Sequence, residues 1–245
     1  MNPRTTLAVA GRVLTQLRRD HRTLAMLLVL PMLLMTLLWW MFEELPGDTF
    51  DRFSPALLAL FPFIVMFLVT SVTTLRERSS GTLERLLAMP MGKGDFLFGY
   101  AIAFGLIAMV QSVLAVTLSV WLLGLEIEGA VWLLTVVAVA DAVLGTALGL
   151  FVSAFAQTEF QAVQFMPALV VPQILLCGLF VPRAALPDVL EAISNVLPLS
   201  YAVDAMQGLT RTAEVADVLP DLAVVVAFGL AMLALGTATL RRRTP

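Results

Sequence analysis

Charge is what this sequence carries least of. Only 13% of its 245 residues are Asp, Glu, Lys or Arg, about half the share usual in a soluble domain, which argues against water as the main solvent of the folded chain. Cysteine occurs once, at Cys177 inside an apolar run, so no intramolecular disulfide can form and the thiol reads as a packing group. The lone histidine, His21, sits in a basic stretch; a metal centre needs several clustered ligands, and none is expected. The phosphate-cradling string G-x-x-x-x-G-K-S/T is missing, because Gly92-Lys93-Gly94 lacks both the earlier glycine and the hydroxyl residue. The chain is therefore not expected to bind ATP itself. H-E-x-x-H, G-x-S-x-G and Cys/His clusters are missing too, leaving protease and esterase chemistry unsupported. No catalytic, cofactor-binding or metal-ligating residue is assigned, and no nucleic-acid partner is expected. No inverted repeat of broken helices stands out. Nor does a cleavable leader: the first apolar run is longer than a signal h-region and lacks a small-x-small site after it.

What is present is apolar. Hydrophobic residues make up 60% of the chain and the mean hydropathy is +0.93. They are bunched into runs of about twenty, the length a helix needs to cross a bilayer. Six runs qualify, at about 24–42, 55–75, 96–124, 131–155, 163–181 and 221–240. The expectation is an all-α membrane protein: one transmembrane domain over residues 1–245, with six spans. Arginine placement orients it. Arg4, Arg12, Arg18, Arg19, Arg22, Arg76, Arg78, Arg85, Lys93 and Arg241-Arg242-Arg243 fall on one face, leaving Arg52, Arg183 and Arg211 for the other. By the positive-inside rule both termini are cytoplasmic, in a multi-pass protein of the cell membrane. The outer loops are acidic (Glu43, Glu44, Asp48, Asp51, Glu126, Glu128), and Trp39, Trp40, Trp121 and Trp132 cluster at outer span ends, where indoles favour the headgroup level.

Residues 2–22 hold too many arginines to cross. Leu7, Ala10, Leu14 and Leu17 recur at helical spacing with Arg12, Gln16 and Arg19 opposite, the pattern of an amphipathic helix lying in the interface with its arginines toward anionic headgroups. A solvated basic leader is the plainer alternative.

The stretch 76–95, after the second span, carries the most information. Thr82 suits an N-cap, Glu84 then falls in the first helical turn, and Leu83, Leu86 and Leu87 form a short apolar face before Pro90, Gly92 and Gly94 end it. So short a helix needs a surface to bury its leucines on. Arg76-Glu77-Arg78, then Gly81-Thr82-x-Glu84-x-Leu86 and Pro90, resembles the cytoplasmic loop of ABC-2 type permeases, the drug-resistance-like exporter membrane subunits among them. Leu176-Cys-Gly-Leu-Phe-Val-Pro182, Leu186-Pro187 and Leu197-Pro-Leu-Ser-Tyr201 are similar to that family's C-terminal signature. The resemblance implies a coupling helix that docks on a separate ATPase subunit, with Arg76, Glu77, Gly81, Thr82, Glu84, Leu86, Leu87 and Pro90 as its coupling residues. It also implies ATP and Mg on that partner, a second permease copy or homologue, export as the direction, and outer helices over 182–220 that dip back into the membrane. An amphipathic extracellular helix is the other reading of the last segment.

Inside the membrane, Asp141 is the sole mid-span acid and shares a face with Gly145, Gly149 and Ser153. A charge there costs roughly 2.5–3.5 kcal/mol on insertion scales, so it must face protein or a wet cavity. Two readings stand side by side: a residue of the substrate path, or a hydrogen-bonding group in a close helix crossing built on small residues. Gln111, Gln164 and Gln173 are the other mid-membrane polar groups, and Pro31, Pro62, Pro167 and Pro172 are expected to bend their spans. Neutral polar side chains among many Phe, Met and Leu lean toward a hydrophobic solute. The rival function is an ion-coupled secondary transporter or channel using Asp141; a non-transporting membrane scaffold is the third.

Overall fold

The computed structural model describes residues 2–43, 49–80, 92–211 and 214–239, and all regular structure among them is helical. In chain order these are α1 (Pro3–Arg19), α2 (His21–Phe42), α3 (Thr49–Ser79), α4 (Lys93–Thr117, extended by a π turn over Leu118–Leu122), α5 (Val131–Ser153) and α6 (Glu159–Leu176). After a 3-10 turn at Arg183–Ala185 come α7 (Asp188–Ser194), α8 (Pro198–Leu209) and α9 (Val215–Thr239). Six of them, α2, α3, α4 with its π turn, α5, α6 and α9, are long and apolar enough to cross a membrane.

Burial sorts the six. In its most apolar window α5 is 67% buried, against 17% for α2 and for α6. Thus α3, α4 and α5 form the centre, while α2, α6 and α9 turn apolar surface outward. The tightest crossing is α3 on α5, and glycine makes it. A Cβ on Gly145 would stand 2.5 Å from the Phe63 carbonyl oxygen, and one on Gly149 would stand 2.5 Å from that of Phe67. Both α5 and α3 advance by four residues between these contacts, so the two helices run parallel with backbones touching, as small residues allow.

Helix ends depart from the sequence estimates in instructive ways. At 31 residues α3 is about 46 Å long, well beyond the roughly 30 Å hydrocarbon core, so both its ends reach polar surroundings. Arg76, Glu77 and Arg78 are therefore its last turn, not the start of a free loop. The fifth span, expected to run to about residue 181, ends at Leu176, because Gly178 takes φ +91°, a conformation that glycine alone enters without a Cβ clash. The prolines at 31, 62, 167 and 172 lie inside unbroken helices, as neighbouring helices permit.

The elbow between α1 and α2 is built by Asp20, whose carboxylate accepts from the Thr23 backbone N–H (3.1 Å) and hydroxyl (2.6 Å). Helix α1 itself is rotated from the expected face. Its buried stripe is Thr6, Val9, Ala10, Val13 and Leu17, whereas Leu7 is 61% exposed and Leu14 only partly covered. Val9 explains the rotation. It sits against the Gly99 gap in α4, where a Cβ would come within 2.6 Å of the Val9 Cβ.

Candidate functional site

Three consecutive residues end α3, and the 100° step of a helix points each at a different neighbour. Arg76 grips Glu159 in the first turn of α6 with two hydrogen bonds, Nε to Oε1 at 2.7 Å and NH2 to Oε2 at 3.0 Å. Both side chains are largely exposed, so this pair orients more than it stabilises, at about 0–1 kcal/mol. Glu77 lies 3.3 Å from the Arg12 guanidinium of α1, and the same Arg12 donates to the Tyr100 hydroxyl of α4 at 2.8 Å. Arg78 donates to the Ser153 carbonyl oxygen at the end of α5. That oxygen is one of the last carbonyls of a helix, which lack partners within it and attract a cation.

The other edge of the 81–91 segment is fastened too. Asp95, in the first turn of α4, is buried and accepts three hydrogen bonds. They come from the Gly92 N–H at 3.0 Å, the Asn2 N–H at 2.8 Å and the Thr6 hydroxyl at 3.1 Å. The chain thus leaves α3 and returns to α4 through two turns that are both pinned to α1. Of the residues read as coupling residues, Arg76 and Glu77 join this junction. Gly81, Thr82, Glu84, Leu86, Leu87 and Pro90 lie outside the described residues.

The mid-bundle polar residues separate into different roles. Gly145 and Gly149 are the α3 contact described above. Asp141, one turn earlier on the same face of α5, is fully buried, and both carboxylate oxygens lack a hydrogen-bond partner among the described residues. Gln111 on α4 is likewise buried with both amide atoms unpartnered. Its neighbour Ser112 instead bridges to the Ala138 carbonyl of α5 at 3.1 Å. Gln173 is engaged: its amide donates to Leu169 O at 3.0 Å and its oxygen accepts from the Leu199 N–H at 3.4 Å. Leu199 is in the first turn of α8, whose N–H groups have no partner within the helix, so Gln173 joins α6 to α8.

The family model described as ABC-2 type transporter matches residues 4–210, which takes in α1, the junction and everything through α8. The chain belongs to the ABC-2 type transporter family. Among curated proteins it is 28% identical over 194 residues to the inner membrane transport permease YhhJ of Escherichia coli, covering 74% of this chain and 52% of that one. It is 25% identical over 166 residues to the probable multidrug ABC transporter permease YbhS of the same organism, covering 67% and 44%. It is 27% identical over 165 residues to ABC transporter G family member 20 of Dictyostelium discoideum, covering 67% and 23%. The chain spans about half the length of these relatives or less.

In this ABC-2 family chain the opposite end of the bundle carries a second polar assembly that sequence reading did not single out. Arg183 donates to the Asp204 carboxylate of α8 and to the Asn195 side-chain oxygen after α7, and lies over the Tyr201 ring at 5.0 Å. The Tyr201 hydroxyl donates to Asn195 O at 2.8 Å. Ser194, fully buried, donates to Leu176 O at 2.8 Å and pairs with Ser200 at 3.0 Å. These bonds fold α7 and α8 back on α6, and α8 is packed into the bundle with Leu199, Ala202, Val203 and Met206 fully buried. Arg183 was legible only as one of three basic residues on the acidic face. Asp95 left a fainter signal, an acid three residues after a helix-starting glycine.

Asp95→Ala is expected to leave three donors, two of them backbone N–H groups, without their acceptor, at a cost of about 1–3 kcal/mol. Hydrogen exchange should quicken over α1 while α5 keeps its protection. Thr15→Ala, which removes only an exposed bond to Gly11 O, should leave α1 unchanged.

Proposed function

We propose that this chain is the membrane permease subunit of an ATP-driven exporter, working as a pair with a second copy or a homologue and with two separate ATPase subunits that carry ATP and Mg. Both termini and the 76–95 stretch face the cytoplasm. The 76–95 stretch carries the coupling helix, in which Gly81, Thr82, Glu84, Leu86, Leu87 and Pro90 meet the ATPase. The cargo is a hydrophobic small molecule or a lipid, and α7 and α8 are the outer segment that dips back into the membrane. The single observation that carries this reading is the junction at the end of α3. One loop is tied by Arg76, Glu77 and Arg78 to α6, α1 and α5, and by Asp95 back to α1. Any push on that loop is delivered to three further helices at once, which a lever requires and a passive loop does not. A multidrug permease name among the relatives supports the cargo class.

Substrate-stimulated ATP hydrolysis in vesicles holding the permease and its ATPase tests it. Glu84→Arg or Leu86→Asp should abolish stimulation and weaken co-purification of the ATPase. Transport that continues unaltered in both variants overturns the loop's role. A second reading rests on Asp141, buried and without a hydrogen-bond partner among the described residues, which would suit an ion-coupled carrier. Uptake that survives ATP depletion and collapses with the ion gradient would favour it.

A further inference from the structure

In the orientation proposed above, three basic residues among those described fall on the outer face, Arg52, Arg183 and Arg211, far apart in sequence and on separate elements. The fold gathers all three around one cavity of about 390 Å³, lined also by Glu191, Asp204 and Gln207. Chance placement of three guanidiniums on one small cavity is a poor account when no other basic side chain among the described residues lines it. Arg183 is held by Asp204 and Asn195, and Gly178 leaves room beside it: a Cβ there would sit 3.5 Å from Arg183 Cγ and 3.7 Å from Asp204 Oδ1. Of the two lining carboxylates, Asp204 is taken up by Arg183. Asp221 of α9 is close enough to feel both charges but does not line the cavity. Arg52 and Arg211 have exposed side chains on opposite sides of the pair in sequence. At the rim, Phe180 lines the cavity and is 59% exposed, and Val181 beside it is 42% exposed.

We infer that this cavity binds the phosphate of an amphiphile, with Arg52 and Arg211 closing on the anion beside the fixed Arg183 and the apolar tail lying on Phe180 and Val181. Guanidinium groups pair with phosphate through two parallel N–H···O bonds, the strongest polar recognition a side chain offers. The volume suits a headgroup and not a whole lipid. Placement in the outer leaflet rests on the proposed orientation; the binding itself does not, and needs no ATPase.

The test is calorimetry on the full chain in dodecyl maltoside, a detergent without phosphate, titrated with dihexanoyl-phosphatidylglycerol or inorganic phosphate. The phosphatidylglycerol should bind, and the double variant R52Q/R211Q should weaken it about tenfold or more, while R52K/R211K recovers part of the loss. Unchanged thermal unfolding of the variants shows that the site and not the fold was altered. Competition by inorganic phosphate would identify a site open to free anions as well; lipid binding without competition would identify the headgroup as the ligand. Equal affinity for wild type and R52Q/R211Q, or no binding of either anionic probe, overturns the site. Loss of transport reading by ATP-independence would leave this result untouched.

Discussion

Alanine at Gly145 or Gly149 is expected to be among the most damaging single changes in the bundle, although it adds one methyl group. Each new Cβ would meet a backbone carbonyl oxygen of α3 at 2.5 Å, and a backbone, unlike the tip of a side chain, cannot step aside. Relief requires α3 and α5 to separate along their whole contact, loosening Ala59, Phe63, Leu134 and Ala138 with them. Overpacking of a close interface costs about 1–3 kcal/mol for each site, and the two sites share one crossing, so the double variant should cost more than either without being additive. Thermal unfolding of the detergent-solubilised protein reads this directly. Gly105→Ala is the contrast, since its Cβ would find only Val143 at 3.8 Å; it should be neutral or raise stability by up to about 1 kcal/mol through helix propensity. A G145A protein as stable as the G105A protein would disprove the close crossing.

Arg183→Ala is the second large effect. The side chain is 13% exposed and its partner Asp204 35%. Burial pushes the Asp204 carboxyl above its ordinary value, and Arg183 opposes that shift only in part. The pair therefore costs something to bury, yet removing one member is worse, because the other stays behind in a partly dry place. Breaking a fully buried pair costs about 3–5 kcal/mol; with Asp204 a third exposed, about 2 kcal/mol is the better figure. Arg183→Ala also drops the ring contact with Tyr201 and the bond to Asn195, so it should exceed Asp204→Asn. The double variant should recover part of the loss, and a thermal-unfolding cycle over the four proteins measures the coupling. Coupling near zero would mean that α7 and α8 are held by Gln173, Ser194 and Ser200 without the ion pair.

The two predictions differ in how far they were visible beforehand. The stripe Asp141, Gly145, Gly149, Ser153 is an i, i+4 pattern, so a close helix crossing could be read from it, but nothing in it names α3 as the partner. The interfacial face of α1 was read one step out of register. Leu7 and Leu14 are larger than Val9 and more apolar than Thr6, yet the buried face is chosen by the gap at Gly99 and by Asp95, which accepts from Thr6. In the sequence Gln173 is a mid-membrane polar group that suits either the path or helix packing; its bond to the start of α8 is an association between residues that no local pattern contains. Arg76 and Glu77 were picked out by resemblance; that they and Arg78 reach three different helices follows from geometry alone.

By itself the sequence determined the solvent, the number of crossings and the family. Hydropathy summed over about twenty residues is a property of each segment, independent of where its neighbours lie. The proposed orientation rests on it as well, through arginine and tryptophan placement. Only the tertiary structure decided which helices are central, which face α1 buries, what Asp95 and Gln173 hold, and that Arg52, Arg183 and Arg211 share a cavity. Those depend on contacts between residues tens to hundreds of positions apart. In a membrane, where every span is apolar all round and hydrophobicity cannot select a face, close packing and a few hydrogen bonds make that choice.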